Sequence, residues 1–344
     1  MVDGKTSAHG KTAAQGKIVA QGKTWAHATA WLRRYGAFIG LILLILFNVV
    51  MTPNFVSLRA LNINLTQVTQ IVIVAVGMTL VIATGGIDLS VGALMAIAGA
   101  LAPMIFMEKL FPIGNLYVAI GIGVVVPVIV AGFFGLFNGW LITRFSIQPI
   151  IATLVLFIAG RGLAQVSTNG DQQVFAIPEF QAIALGNIFG IPIPFQVWIV
   201  AAIAIIAGFI LKKTALGREI LAVGGNERAA RLAGISVRRV KFFVYWFSGI
   251  CAGLAGIISI AMVSASDANL VGDGKELDAI AAVAVGGTLL SGGRASVVGT
   301  VLGALIIQLV QYALIGNGVP DPVALVVKAG LILTAVWLQQ QEHA

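Results

Sequence analysis

Residues 68–84 and 91–107 form two apolar runs, and only Gly85-Gly86-Ile87-Asp88-Leu89-Ser90 stands between them. Each run is about long enough to cross a bilayer. Backbone polar groups cannot be left unpaired in hydrocarbon, so the break must satisfy its own N–H and C=O groups. Adjacent glycines end a helix cheaply because glycine accepts left-handed angles. Asp88 or Ser90 can then cap the free N–H groups of the next helix. A carboxylate inside a span costs about 2.5–3.5 kcal/mol at the bilayer centre, less near its edge, and is usually functional. Two compatible roles stand for Gly85, Gly86, Asp88 and Ser90: a simple cap, and a gate or hinge where helices pivot.

The rest of the chain supports a membrane setting. It is 59% hydrophobic and 10% charged, with mean hydropathy +1.00. That composition excludes an ordinary soluble domain and predicts a polytopic all-α membrane protein. Forty-one glycines suit close helix packing in lipid. The net charge of +8 does not point to nucleic acid, because the cations lie in loops and the N-terminal tail.

Ten apolar segments are predicted as spans: 35–51, 68–84, 91–107, 116–142, 150–166, 195–211, 242–263, 277–290, 295–315 and 322–338. The eighth is short, because Gly286-Gly287 and Gly292-Gly293 blur its end. An N-terminus on the cytoplasmic side puts sixteen of the twenty-one Lys and Arg residues there, and three outside. Both termini are therefore expected in the cytoplasm. The domain reading is a basic tail over 1–34, a membrane domain over 35–338 containing a cytoplasmic loop at 212–241, and a short cytoplasmic tail over 339–344. A weak echo of residues 74–80 in 283–289 is compatible with an internal repeat or with chance.

The tail repeats Gly-Lys-Thr-type hexapeptides from Gly4 to His27. A phosphate loop needs four residues between its first glycine and the Gly-Lys pair; here five intervene. The tail reads instead as a low-complexity basic segment near the inner membrane surface. Residues 52–55 offer no small-residue cleavage site, so the first apolar run is an uncleaved span.

Catalysis finds no footing. His9, His27 and His343 all lie in the tails, and the one cysteine, Cys251, has no histidine near it in a span. Metal centres and histidine-activated nucleophiles in the membrane are excluded by residue type. Asp88 is expected near the inner face and Asp278 near the outer one, so no carboxylate pair forms. The chain is expected to be no enzyme and to bind no cofactor.

The cytoplasmic loop carries a second signal, in residues 215–235. Asn226 is a good N-cap, Glu227 suits the positive helix end, and Gly234 is a good stop. These bound a short amphipathic helix containing Arg228, Ala229, Ala230 and Ala233. From the residues alone it is a basic helix resting on anionic lipid.

Ala75-Val76-Gly77-Met78-Thr79-Leu80-Val81-Ile82-Ala83-Thr84, followed by the Gly85–Gly92 segment, resembles the signature of permease subunits of bacterial monosaccharide ABC importers of the ribose, xylose and galactofuranose type. The resemblance runs from about Phe38 to the last span. Lys213-Thr214-Ala215-Leu216-Gly217, Asp267-Ala268-Asn269 and Glu276-Leu277-Asp278-Ala279-Ile280 look most like the galactofuranose branch. It implies a type II importer bundle of about ten helices in the bacterial inner membrane. It also implies a second permease subunit, cytoplasmic ATPases that hold ATP and Mg, a periplasmic sugar-binding protein and a monosaccharide substrate. The helix Asn226–Gly234 becomes an ATPase-coupling helix, its face of Ala229, Ala230 and Ala233 entering a cleft on the ATPase. Ala229-Ala230 and Gly234 are similar to the family's Glu-Ala-Ala-x-x-x-Gly loop, with Arg228 where the glutamate belongs.

Other polar residues are weaker signals. Asn62, Asn64, Gln67, Gln70 and Asn138 could line a sugar path, since amides pair with hydroxyls. Arg161, Glu276 and Asp278 could form an outer-face ion pair or a mouth contact. The alternatives to an ATP-driven importer are an ion-coupled secondary transporter, which needs a central ion site that no span supplies, and a passive channel.

Overall fold

The computed structural model describes residues 36–187 and 190–341. The repeat tail, the three histidines and residues 342–344 lie outside them. The described chain is helical: α1 (Gly36–Met51), α2 (Leu58–Ala83), α3 (Val91–Phe106), α4 (Leu116–Phe145), α5 (Pro149–Ser167), α6 (Pro178–Leu185), α7 (Phe195–Lys213), α8 (Ala215–Gly225), α9 (Glu227–Leu232), α10 (Val237–Val263), α11 (Lys275–Val285), α12 (Val297–Gly316) and α13 (Asp321–Gln341). A two-residue antiparallel ladder pairs β1 (Gln173–Val174) with β2 (Ala265–Ser266).

Each of the ten apolar segments contributes a helix, but residues 286–290 of the eighth lie beyond α11. Six helices, α2, α4, α5, α7, α10 and α12, are long and apolar enough to cross a membrane, and α1 and α3 are shorter. α2 starts well before its apolar run because the Ser57 hydroxyl accepts from the Ala60 N–H at 3.1 Å and caps it.

α2, α3 and α10 form the centre. Val76, Met78, Leu80, Leu94, Met95 and Ile260 have no solvent exposure at all. α4, α5 and α7 surround them and leave Phe133, Ile158, Ile205 and Phe209 uncovered. A helix that is apolar all round, buried on one side and bare on the other, fits a hydrocarbon boundary. α4 and α10 meet without side chains between them: Gly135 rests on the Tyr245 carbonyl and Gly249 on the Ala131 carbonyl.

The eighth predicted span is corrected. α11 has 11 residues, about 16 Å at 1.5 Å per residue, roughly half the hydrocarbon thickness. The chain reaches α11 from the end of α10 as non-helical backbone running down α3. The Ser266 hydroxyl donates to the Gly99 carbonyl at 2.8 Å, and further on Gly272 packs on Gly92 and Met95. Irregular backbone at this depth is possible because it is enclosed by protein. Glu276 and Asp278 therefore begin inside the bundle, not at its outer surface.

Chain ends gather into two sets. The C-terminal ends of α3, α5 and α10 meet around the ladder and α6, where Phe106, Phe175 and Phe180 pack edge-on or tilted with ring centroids 4.6–5.5 Å apart. At the other end lie the break after α2, α8, α9 and the α11–α12 turn, with most of the loop Lys and Arg residues. This grouping agrees with the alternation read from the charges.

Candidate functional site

The break is built around a buried carboxylate. α2 ends at Thr84, and Gly85 follows at φ +78°, an angle that a side chain would strain. Asp88 is wholly buried. One of its oxygens accepts from the Ser90 backbone N–H at 3.1 Å and the Ser90 hydroxyl at 2.6 Å. The other accepts from the Ser248 hydroxyl of α10 at 2.9 Å. The Asn138 amide of α4 donates to the Ser90 hydroxyl oxygen at 2.9 Å.

This revises the cap reading. Ser90 occupies the N-cap of α3 but makes no side-chain cap bond, and Asp88 reaches only the Ser90 N–H. The carboxylate instead ties the break to α10 and, through Ser90, to α4. Asn138 is also corrected, because it is buried in this network and not on an open path. Gly86 matters for packing: a Cβ there would stand 2.6 Å from the Tyr245 hydroxyl. Ser248 was missed by the sequence reading; a small hydroxyl beside Gly249 within an apolar span was the available signal.

At the opposite end, Asn62 and Gln67 line a recess of about 470 Å3 with Arg59, Thr66, Leu185 and Met262. Gln67 accepts from the Gln308 amide at 2.6 Å, and the Gln70 amide lies 3.2 Å from the Met262 sulfur. Asn64 donates back to the Ala60 carbonyl at 2.9 Å. The amide oxygens of Asn62 and Asn64 are buried without a hydrogen-bond partner.

The expected ion pair is replaced. The Arg161 guanidinium donates to the carbonyls of Ala268 at 2.8 Å and Val271 at 2.7 Å, clamping the descending segment. Asp278 takes its cations elsewhere: Lys328 of α13 at 2.6 Å and Lys275 at 3.6 Å. A lysine placed within the last span thus has a partner. Glu276 leans on Gly92 in the first turn of α3, and its Oε2 has no hydrogen-bond partner.

In the basic loop, Thr214 caps α8 and Asn226 caps α9, its Oδ1 accepting from the Ala229 N–H at 2.9 Å. Gly234, at φ +84°, ends α9, and the Ile235 N–H returns to the Ala230 carbonyl at 3.0 Å. Glu227 is held by Lys241 at 2.7 Å and Arg231 at 3.0 Å. Partial burial raises its carboxyl, but the hydrogen bond and charge of Lys241, with Arg231, outweigh that and hold it below its ordinary value.

The face expected to dock does not survive intact. Ala230 is buried against the bundle. Arg228, Ala229 and Ala233 are exposed, and Leu232 stands out at 90% exposure. α8 connects this helix to the break. Gly224 packs directly on the Ala83 carbonyl and on the Gly293 nitrogen, while the Gly293 N–H donates to the Ala83 carbonyl at 3.0 Å.

The profile of a family described as branched-chain amino acid transport system / permease component matches residues 59–336. This chain belongs to that family. It is 39% identical over 309 residues to the ribose import permease protein RbsC of Escherichia coli K12, covering 89% of this chain and 93% of the relative. It is 43% identical over 279 residues to the galactofuranose transporter permease protein YtfT of the same strain, covering 80% and 78%. The fructose import permease protein FruF of Bifidobacterium longum is 39% identical over 259 residues, covering 74% and 70%. No solved structure matches. The chain is a multi-pass membrane permease component and not a catalytic subunit. Ribose and galactofuranose permeases match about equally, so the branch suggested by the sequence is not singled out.

Proposed function

We propose that this chain is the transmembrane permease of an ATP-driven importer that carries a monosaccharide across the bacterial inner membrane. The relatives' names supply the substrate class, and the Lys213–Gly217 and Glu276–Ile280 motifs favour a furanose of the galactofuranose kind. Partner ATPases dock on the outward face of α9, through Arg228, Ala229, Leu232 and Ala233. Two permeases enclose the path, and a periplasmic binding protein delivers sugar to the end that carries the ladder and α6. The amides of Asn62 and Gln67 meet the sugar hydroxyls there. Both termini lie in the cytoplasm.

The observation that carries this reading is the packing of Gly224 on Ala83 and Gly293. Backbone against backbone leaves no compliant side chain between them. A displacement of α9 and α8 is delivered to the end of α2, and so to Gly85, Gly86 and Asp88. The Asp88–Ser248 bond holds that hinge to α10 until it is moved.

The test is uptake of labelled ribose, galactose, fructose and arabinose in cells lacking their own importers but supplied with this chain, its ATPase and its binding protein. Uptake should fail with an ATPase unable to hydrolyse ATP and should persist when ion gradients are collapsed. The reverse pattern would establish a secondary transporter.

A further inference from the structure

A second feature of the basic end lies between α9, α10 and the α4–α5 turn. A cavity of about 500 Å3 opens between the α4–α5 turn and the segment joining α9 to α10. Its walls carry Arg231, Arg238 and Lys241 against a single acid, Glu227. Glu227 is fully engaged by Lys241 and Arg231, so the site keeps a net excess of two positive charges. Ser146 and Ser236 add hydroxyl donors, while the Thr143 hydroxyl donates back to the Gly139 carbonyl of α4. The remaining wall, from Ile142 and Ile147 to Pro149 and Val237, is apolar.

Position adds to chemistry. On α4 just beside this cavity, Trp140 and Phe145 are exposed, and Arg144 lies over the Phe145 ring at 5.9 Å. Aromatic rings and cations in this arrangement belong at a membrane–water interface. α5 starts at the cavity with Pro149 in its first turn and no side-chain cap. Its positive end adds to the field of the three cations.

We propose that this cavity binds a phosphate-bearing anion, with its charge on Arg231, Arg238 and Lys241 and any apolar part along Ile142 and Ile147. The chemistry fits the headgroup of an anionic phospholipid and, in its charged part, a soluble phosphate. The proposal does not depend on which sugar is carried. Because the anion draws on the same cations that hold Glu227, its occupancy sets how firmly α9 is fixed to α10.

The experiment uses the purified full-length permease in neutral detergent. Retention of phosphatidylglycerol and of phosphatidylcholine is measured by native mass spectrometry, with and without inorganic phosphate. The wild type should retain phosphatidylglycerol selectively, and the double variant Arg231→Gln/Arg238→Gln should bind it about thirtyfold more weakly. Arg239→Gln, an exposed neighbour that does not line the cavity, should match the wild type. Retention unaffected by phosphate assigns the site to lipid, and displacement by phosphate assigns it to the soluble anion; both support the proposal. Equal retention by all three proteins would overturn it as general surface charge. If the double variant keeps its lipid but loses ATPase in a pull-down, the cavity belongs to the docking surface and the proposal fails. The coupling reading would survive either failure, because it is tested by uptake.

Discussion

Gly224 lies in contact with the carbonyl of Ala83, so the basic loop and the end of α2 share one backbone junction. A Cβ at 224 would collide with that carbonyl and with the Gly293 nitrogen, neither of which can rotate away. Gly224→Ala should therefore strain the junction by about 1–3 kcal/mol, the usual cost of overpacking. Uptake should fall sharply while the permease remains inserted and still captures its ATPase. Gly225→Ala is the control, since nothing lies within 4 Å of a Cβ there. Equal uptake by the two variants would separate this junction from transport.

The Asp88 network gives a graded series. Asp88→Asn keeps an acceptor for the Ser90 hydroxyl, and the Ser248 hydroxyl can turn to accept from the new amide. Asp88→Leu leaves both hydroxyls without their acceptor, at about 1–3 kcal/mol for each buried group. Ser248→Ala removes only the bond to α10. The expected order of thermal stability in detergent is wild type, then Asn and Ala, then Leu. If the hinge reading holds, Ser248→Ala should alter transport more than stability, which a melting curve beside an uptake assay will show.

Lys328 and Asp278 are both largely buried, with side-chain exposures of 12% and 7%. Asp278→Asn strands Lys328, and Lys328→Met leaves Asp278 only the longer contact to Lys275 at 3.6 Å; breaking a buried pair costs up to about 3–5 kcal/mol. Lys328→Met and Asp278→Asn should each lower membrane levels. The double variant should recover much of that loss, since no charge is left stranded. A double variant as poor as the sum of the singles would show that the two residues do not depend on each other.

Much of this fold was legible because lipid imposes long apolar helices, and periodicity is simple when every face is apolar. Caps were equally plain, since Asn226 and Gly234 act within one turn of themselves. Legibility failed where partners are distant in sequence. Asp88 read as a local cap because Ser248 and Asn138 come from other helices. Arg161, Glu276 and Asp278 read as an ion pair or a mouth contact because all three seemed to lie at the outer surface, whereas the descent of residues 264–274 placed carbonyls before the arginine and left Asp278 to Lys328 and Lys275. The face of α9 was misassigned for a related reason: six residues give spacing but no indication of which side the bundle covers.

Glu227 gives a pH prediction. Its folded value is held below the ordinary carboxylate range, so its contribution is present above the unfolded value, about 4.3, and is lost as pH falls through the lowered folded value. The side chain is 41% exposed, so the effect is local and weakened by solvent. Hydrogen exchange corrected for intrinsic rate should show α9 loosening relative to α10 only below that range. Glu227→Gln should exchange faster already at neutral pH, with no further change on acidification.

Leu232 tests the docking face most directly. At 90% exposure it contributes almost nothing to the fold of the isolated chain, so Leu232→Asp should leave insertion and melting temperature unchanged. Burying a leucine side chain in a partner is worth about 1.5–3 kcal/mol, or roughly ten- to a hundredfold in affinity. An aspartate in the same cleft should weaken ATPase capture by at least that factor and stop uptake. Ala230→Trp should behave differently. Its side chain points into the bundle, so the large ring must displace α9 itself, and the expected result is a lower melting temperature together with lost association. A Leu232→Asp permease that binds its ATPase as tightly as the wild type would move the docking surface off this face of α9.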